Sequence, residues 1–424
     1  MSSLNTLLTR YPGLHKWSVL VAVSAAFFFL NASTFSSLGV ALYTMIADLH
    51  WSQTEAGFSF TLLGCACGLS SPLPTLVMKY VGGRLTITAG GLLLFLGFFL
   101  ASISHSLMVF YLAMLLLGIG YSLAGNVPAV SLIAGFFQKA AARNIGVYYM
   151  LGAAGATFGP PVVQAILVHF GWRELWRVLA IVAAALGVLC YALIRDAAAS
   201  TDVGAQLAVI PSVDPKSIHA PPREWRDREA IFTVQFMLVA ASMAGTMLLL
   251  TTISSVAVTH LVKLGSTADT AAWILGIMAL TAAVTKGVAG RLCERIAPSL
   301  LLATGVLVQA IGVAVLARAD TGFLQYFSTM AFGVGWGLGY VAGTVVLLEY
   351  FGSATGSRIL GIVWLLATSA AAGPLAAGVI ADRYGTFAPI FILFGVGMLI
   401  LALPIFVMRA PAQRGVNAHP AGAE

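Results

Sequence analysis

Charge is what this chain has least of. Asp, Glu, Lys and Arg make up only 9% of its 424 residues, against about 25% in a soluble domain. Apolar residues make up 59%, where about 45–50% is usual. One core could not hide that much apolar surface from water, so lipid must be the main solvent. The mean hydropathy of +0.95 agrees. The same figures exclude disordered chain, which combines high charge with low hydrophobicity. Cysteine is also sparse. Cys65, Cys67, Cys190 and Cys293 lie within or at the ends of apolar runs, and no two form a C-x-x-C pair. Neither a metal site nor a disulfide framework is indicated. The chain has no Walker loop, no G-x-G-x-x-G after a strand, no H-E-x-x-H and no nucleophile–base set. It therefore reads as neither an enzyme nor a primary pump, and it needs no cofactor.

What is present is a series of long apolar runs. A helix needs about 20 mostly apolar residues to cross the hydrocarbon. Twelve such stretches occur, near 17–47, 55–78, 86–103, 108–135, 145–168, 177–195, 231–261, 271–291, 299–317, 323–349, 359–381 and 387–408. The expected fold is therefore all-α and integral to the membrane. The polar segment 196–229, with PSVDPKS and APPREWRDRE, reads as a linker between a first bundle (1–195) and a second (230–424). The first 16 residues run into a span without a small-residue cleavage site, so an uncleaved start is expected.

Basic residues set the orientation. With the N-terminus inside, Arg173, Arg177, Lys263, Arg318 and Arg383 fall outside and Lys286 lies within a span. The other 16 of the 22 Lys and Arg then face inward. This places both termini and the linker in the cytoplasm of a bacterial-type inner membrane. It also explains the net charge of +7 without nucleic acid as a partner.

The chain repeats itself. Arg143-Asn144-Ile145-Gly146 is echoed by Arg358-Ile359-Leu360-Gly361, and Gly118-Ile119-Gly120 by Gly333-Val334-Gly335, both at an offset of 215. Gly159-Pro160 matches Gly373-Pro374, and Phe170-Gly171 matches Tyr384-Gly385, at 214. Two parallel copies of a six-helix unit are expected, with a substrate site between them near the midplane.

At this point the chain resembles the major facilitator superfamily over essentially its whole length. The superfamily's loop signature, G-x-x-x-D/E-R-x-G-x-R/K, is recognisable as Gly290-Arg291-Leu292-Cys293-Glu294-Arg295-Ile296-Ala297 after span 8. After span 2 it is degraded to Lys79-Tyr80-Val81-Gly82-Gly83-Arg84, without an acid. The resemblance implies a gating loop at Gly290, Glu294 and Arg295. Within the superfamily the chain is similar to bacterial monocarboxylate and oxalate/formate-type porters. The similarity rests on SLGVALYTMIADLHWSQTEAGFSFTL (37–62), LAGNVPAVSLIAGFF (123–137) and VAVTHLV (256–262). Where that group carries a basic residue, usually Arg, four positions before the signature glycine, this chain has Lys286.

Lys286 is the single Lys or Arg well inside a span. A charge there costs several kcal/mol unless it faces protein or a water-filled cavity and has a partner. No acid is clearly buried, which invites an anionic ligand. Two other readings stand beside this one: Lys286 snorkels toward the surface, or it pairs with Glu349. As a compact point charge, Lys would tolerate more carboxylate geometries than Arg's planar fork. By resemblance, spans 1, 4, 7 and 10 line the cavity. That makes Asn31, Tyr121, Asn126, Trp336 and Tyr340 candidate neighbours of the substrate, through amide and hydroxyl donors and aromatic faces. The alternative for each is hydrogen bonding between helices, favoured outright for Thr251 and Thr252. His260, near the end of span 7, could relay protons or simply bond at an interface.

The reading that follows is a monomeric secondary transporter of small organic carboxylates, working by alternating access and coupled to protons through Lys286 or His260. Anion exchange and export of amphiphiles are the alternatives. A receptor would carry a soluble module, and the longest polar segment is too short for one.

Overall fold

The computed structural model describes residues 12–137, 140–194 and 225–411, with side chains from His15 onward apart from those of residues 142, 353, 354 and 357. Arg10, Lys139, Arg195, Lys216, Arg223 and Arg414 of the charge count, and the linker up to residue 224, lie outside the described residues.

Five of the helices begin at a Ser or Thr side-chain cap. α1 (Pro12–Ser33) and α2 (Leu38–Leu49) lead to Ser52, which opens α3 (Gln53–Leu69). The Ser52 hydroxyl accepts from the Glu55 amide, and the Glu55 carboxylate accepts from the Ser52 amide, closing a capping box. α4 (Leu73–Ser102), α5 (Leu107–Ala124), α6 (Asn126–Phe137) and α7 (Ala141–Leu193) complete the first half. In the second half, α8 (Asp227–Ile231) precedes α9 (Val234–Lys263), α10 (Ala268–Cys293), α11 (Pro298–Leu316) and α12 (Gly322–Phe351). α13 (Ser353–Ala367) runs through a 3₁₀ turn (Thr368–Ala371) into α14 (Ala372–Tyr384), and α15 (Ala388–Phe406) is last. Thr233, Thr267 and Thr321 cap α9, α10 and α12 with their hydroxyls.

Ten stretches among the described residues are long and apolar enough to cross a membrane. One of them, Arg143–Leu193, has 51 residues. At 1.5 Å per residue this is more than twice the hydrocarbon thickness of about 30 Å. Gly171, at φ +77°, breaks it into two crossings. α3 and the start of α4, up to Gly82 at φ +79°, supply the remaining crossing. The expected twelve crossings are accounted for in this way. Three are discontinuous where the sequence suggested single helices: the first breaks between Ser33 and Leu38, the second between Leu69 and Leu73, and the fourth at Gly125, while the eleventh tightens into the 3₁₀ turn Thr368–Ala371.

The crossings form two six-helix bundles. In the first, α1 packs on α7, and α4 on α5 and α7; in the second, α12 lies between α10 and α11, and α15 packs on α11. The bundles meet along α3–α14, α7–α10 and α2–α9. Trp176, Phe60, Phe98 and Phe110 fill the first interior, and Phe332, Phe351, Phe387 and Phe391 the second. Val168, Leu393, Ile400 and Leu403 point outward and are well exposed. In lipid such surface is the solvated one.

Candidate functional site

The α12 sequence GVGWGLGY (333–340) builds one wall of the site. Its glycines let neighbouring helices approach closely. A methyl group at Gly337 would lie 2.8 Å from the Ala282 carbonyl oxygen and 2.6 Å from Thr285 Cβ, both on α10. Trp336 and Tyr340, four residues apart, share a further face of α12. With the helices this close, Lys286 of α10 reaches across that face. Its Nζ lies 4.0 Å from the Trp336 ring centroid and 4.6 Å from that of Tyr340. A cation over an aromatic face gains about 0.5–2 kcal/mol, the upper end applying away from water. The Tyr340 ring leans in turn on Trp364 of α13, at 5.5 Å.

Snorkelling is thus not the conformation adopted: the amine rests on rings inside the bundle. Among the described residues three ion pairs form, Arg173–Asp48, Arg177–Glu174 and Arg358–Asp227, and Lys286 is in none of them. Its pairing with Glu349 is therefore not formed. Beside it, Trp336 Nε1 is buried and donates to no protein atom. A cation and an open N–H donor are groups to which a carboxylate bonds.

The first half presents an opposing wall of tyrosines. Tyr149 of α7 is 42% exposed and lies within electrostatic range of both Tyr340 and Tyr121. Tyr148 stacks on Phe27, with centroids 4.3 Å apart, and its hydroxyl donates to Asn126 Oδ1 at 3.4 Å. Asn126 is exposed in the first turn of α6, just past the Gly125 break. Tyr121 sets its ring edge-on to Phe35 at 5.2 Å. Asn31 donates to the Phe27 carbonyl one turn back in its own helix, at 2.9 Å, which leaves its carbonyl oxygen available.

The structure therefore brings Lys286, Trp336 and Tyr340 into contact, with Tyr121 linked to them only through Tyr149. Asn31 and Asn126 stand on the first-half side. His260 stands apart: it is 1% exposed, its Nε2 bonds the Leu316 carbonyl at 2.8 Å, and Phe391 packs on its ring at 4.9 Å. Glu294 and Arg295, exposed at the end of α10, take part in none of the three ion pairs. Thr251 donates to the Ala370 carbonyl at 2.8 Å, tying α9 to the 3₁₀ turn. Tyr149 is the neighbour of Tyr340 that sequence reasoning missed, while Tyr148 beside it is fully buried in the first bundle's core. The signal for Tyr149 was a hydroxyl-bearing ring inside a span otherwise read for its glycines. Among the described residues, no group of three or more His, Cys, Asp or Glu could hold a metal.

The model of the Major Facilitator Superfamily matches residues 24–262 and 241–423. The chain belongs to this superfamily. Over 418 residues it is 26% identical to monocarboxylate transporter 13 of Bos taurus, covering 94% of this chain and 92% of that one. The match to monocarboxylate transporter 12-B of Danio rerio, also 26% identical, spans 137 residues and only 28% of that protein's length. A protein of Escherichia coli (strain K12) named "Probable L-galactonate transporter" is 25% identical over 189 residues, 44% of this chain and 41% of its own. Among solved structures, the transporter's fold is similar to the nucleoside transporter NupG, with a TM-score of 0.69 and 14% identity over 93% of this chain and 98% of that one. It is comparably similar to a mutant of the peptide transporter POT in complex with sulfate, at 0.72 and 15%, over 92% and 93%.

Proposed function

We propose that this major facilitator transporter carries small organic carboxylates, one carboxylate binding to Lys286. The observation that carries the reading is the Lys286 ammonium, held against Trp336 and Tyr340 without a protein carboxylate, beside the unpaired Trp336 N–H. A carboxylate would take the ammonium on one oxygen and the indole N–H on the other. The surrounding tyrosine and tryptophan rings would enclose a short apolar or hydroxylated body, with Tyr121, Asn126 and Asn31 as donors and acceptors on the opposite wall. One cation suits one carboxylate, which favours monocarboxylates over dianions. The relatives named monocarboxylate transporters support the same class.

In this reading the two bundles rock about the site and expose it alternately, with the termini and linker in the cytoplasm of a bacterial inner membrane. Gly290, Glu294 and Arg295 then form the gating loop at the cytoplasmic end of α10. Lys286 binds an anion only while protonated, so anion and proton travel together through this residue. His260, bonded to a carbonyl elsewhere in the second bundle, is the weaker candidate for coupling. The test is uptake of labelled carboxylates into proteoliposomes, with wild type beside Lys286→Gln. Some acid is expected to enter with wild type, faster under an inward proton gradient, and not with the variant. Equal uptake by the variant would end the anion-site reading.

A further inference from the structure

The repeat that relates the two bundles also relates the two long seams between them. The seam α3–α14 corresponds to the seam α10–α7 at offsets of 215 and 214. Ser52 and Thr267 are the matching caps, and both accept from the amide three residues on. Thr61 donates to the Ala371 carbonyl at 2.5 Å on one seam. Their counterparts Gly276 and Thr157 touch on the other, Gly276 lying against the Thr157 carbonyl. Against this likeness the ends of the seams differ.

On the α3–α14 seam, Asp382 reaches from the second bundle to the first turn of α3 in the first. Its Oδ1 accepts from the Gln53 amide at 3.0 Å. Its Oδ2 accepts from the Thr54 amide at 2.8 Å and from the Thr54 hydroxyl. A helix N-terminus leaves its first amides unpaired and carries partial positive charge, so a carboxylate there is stabilised twice over. Ser52 satisfies the Glu55 amide; Asp382 takes the two amides that the capping box leaves. Asp382 is exposed, so water and this helix end together stabilise its charge, and none of the three ion pairs among the described residues includes it. The neighbouring Lys263 is engaged with the Gly385 carbonyl at 3.1 Å. Gly378, one turn before Asp382, lies against the Gln53 carbonyl with no room for a Cβ.

On the other seam the position of Asp382 is held by Val168, that of Gly378 by Gln164 and that of Thr54 by Asp269. No carboxylate faces the α10 N-terminus from α7 there, and the bulk of Gln164 stands where the first seam is closed. The result is a groove of about 300 Å³ lined by Gln164, Val168, His169, Asp269 and Trp273. One seam is fastened at its end and its twin is not.

We propose that Asp382 is a gating residue. By capping α3 across the bundle interface it holds this end of the molecule shut, and the transport cycle must break those bonds to open it. The other seam stays packed at Gly276 and Thr157 but carries no such cap at its end, so the bonds of Asp382 on the α3–α14 side are the ones opening has to break. The inference rests on the fold and the seam, and it stands or falls independently of the substrate.

The test is alkylation of a single cysteine, Thr61→Cys, in purified protein whose four native cysteines are replaced. Thr61 is 9% exposed within the seam, so labelling should be slow. Adding Asp382→Ala should speed it several-fold, up to about tenfold, as expected for loss of a helix cap. Gly378→Ala forces the same seam apart without touching the carboxylate, and should act in the same direction even if Asp382→Ala folds poorly. A control retaining only Cys190, which is 1% exposed inside the first bundle, should stay unreactive in both variants. Unchanged labelling of Thr61→Cys in the two variants, or equal acceleration at Cys190, would overturn the proposal.

Discussion

An ammonium lying on two rings is a site tuned by faces instead of charges. Trp336 contributes both a π-face to Lys286 and an N–H that no protein atom accepts. The two contributions can be separated. Trp336→Phe keeps an aromatic face and removes only the donor. A hydrogen bond to a charged group is worth about 1.5–3 kcal/mol, so we expect KM for the carried acid to rise about 10- to 100-fold. An unchanged KM in concentration-dependent uptake would remove the indole from the site. Lys286→Arg should retain part of the uptake and narrow the range of acids accepted, because a planar fork demands one carboxylate geometry; a substrate panel reads this directly. Lys286 was legible in the sequence because one charge in a long apolar run has few explanations. Tyr149 was not, since a tyrosine in an apolar span reads equally well as packing, and only the fold places it within range of Tyr340.

At the scale of helices, the site depends on how closely α12 lies on α10. A side chain at Gly337 would collide with Ala282 and Thr285. Gly337→Val should push α12 away and lift its rings from Lys286, with an overpacking cost of about 1–3 kcal/mol. Uptake is expected to fall sharply although every binding group remains; normal uptake by that variant would contradict this account. The W-S-x-x-E start of α3 was visible as a local pattern, and its capping box forms as the spacing implies. The breaks near Ser33–Leu38 and at Gly125 were hidden, because a lone glycine or a few small polar residues inside an apolar run carry no periodic signal. The cap supplied by Asp382 was hidden for a different reason: its partners lie 328 and 329 residues away.

At the scale of the whole molecule, the entry to the second bundle is pinned by charge. Arg358 of α13 grips Asp227 of α8 with both arms, at 2.8–3.0 Å, while Thr355 bonds the Trp225 carbonyl at 2.8 Å. The hydrogen bond from Arg358 holds the Asp227 carboxyl below its ordinary value. The contribution of the pair is therefore complete above the ordinary carboxyl range and fades as pH falls through the lowered value. Protection of the 227–231 amides, their exchange rate taken relative to that of free amides at the same pH, should be steady from about pH 8 to 5 and fall only once the pH drops below the ordinary carboxyl value of about 3.9. Arg358→Gln should bring that loss of protection to neutral pH, and protection equal to wild type would refute the clamp. The twelve crossings and their two-fold repeat were readable from apolar runs and constant offsets, since lipid enforces both. How the bundles touch was not, because that is set by pairs of residues hundreds of positions apart. A last consequence concerns voltage. Lys286 carries its positive charge without a protein carboxylate against it, so the loaded carrier turns over neutral, and once the proton has left with the acid the empty one does too. A potential of 100 mV acts on a full charge with about 2.3 kcal/mol, a bias that such a cycle escapes on both strokes. The electric field across the membrane would then leave uptake unchanged while the proton gradient drives it.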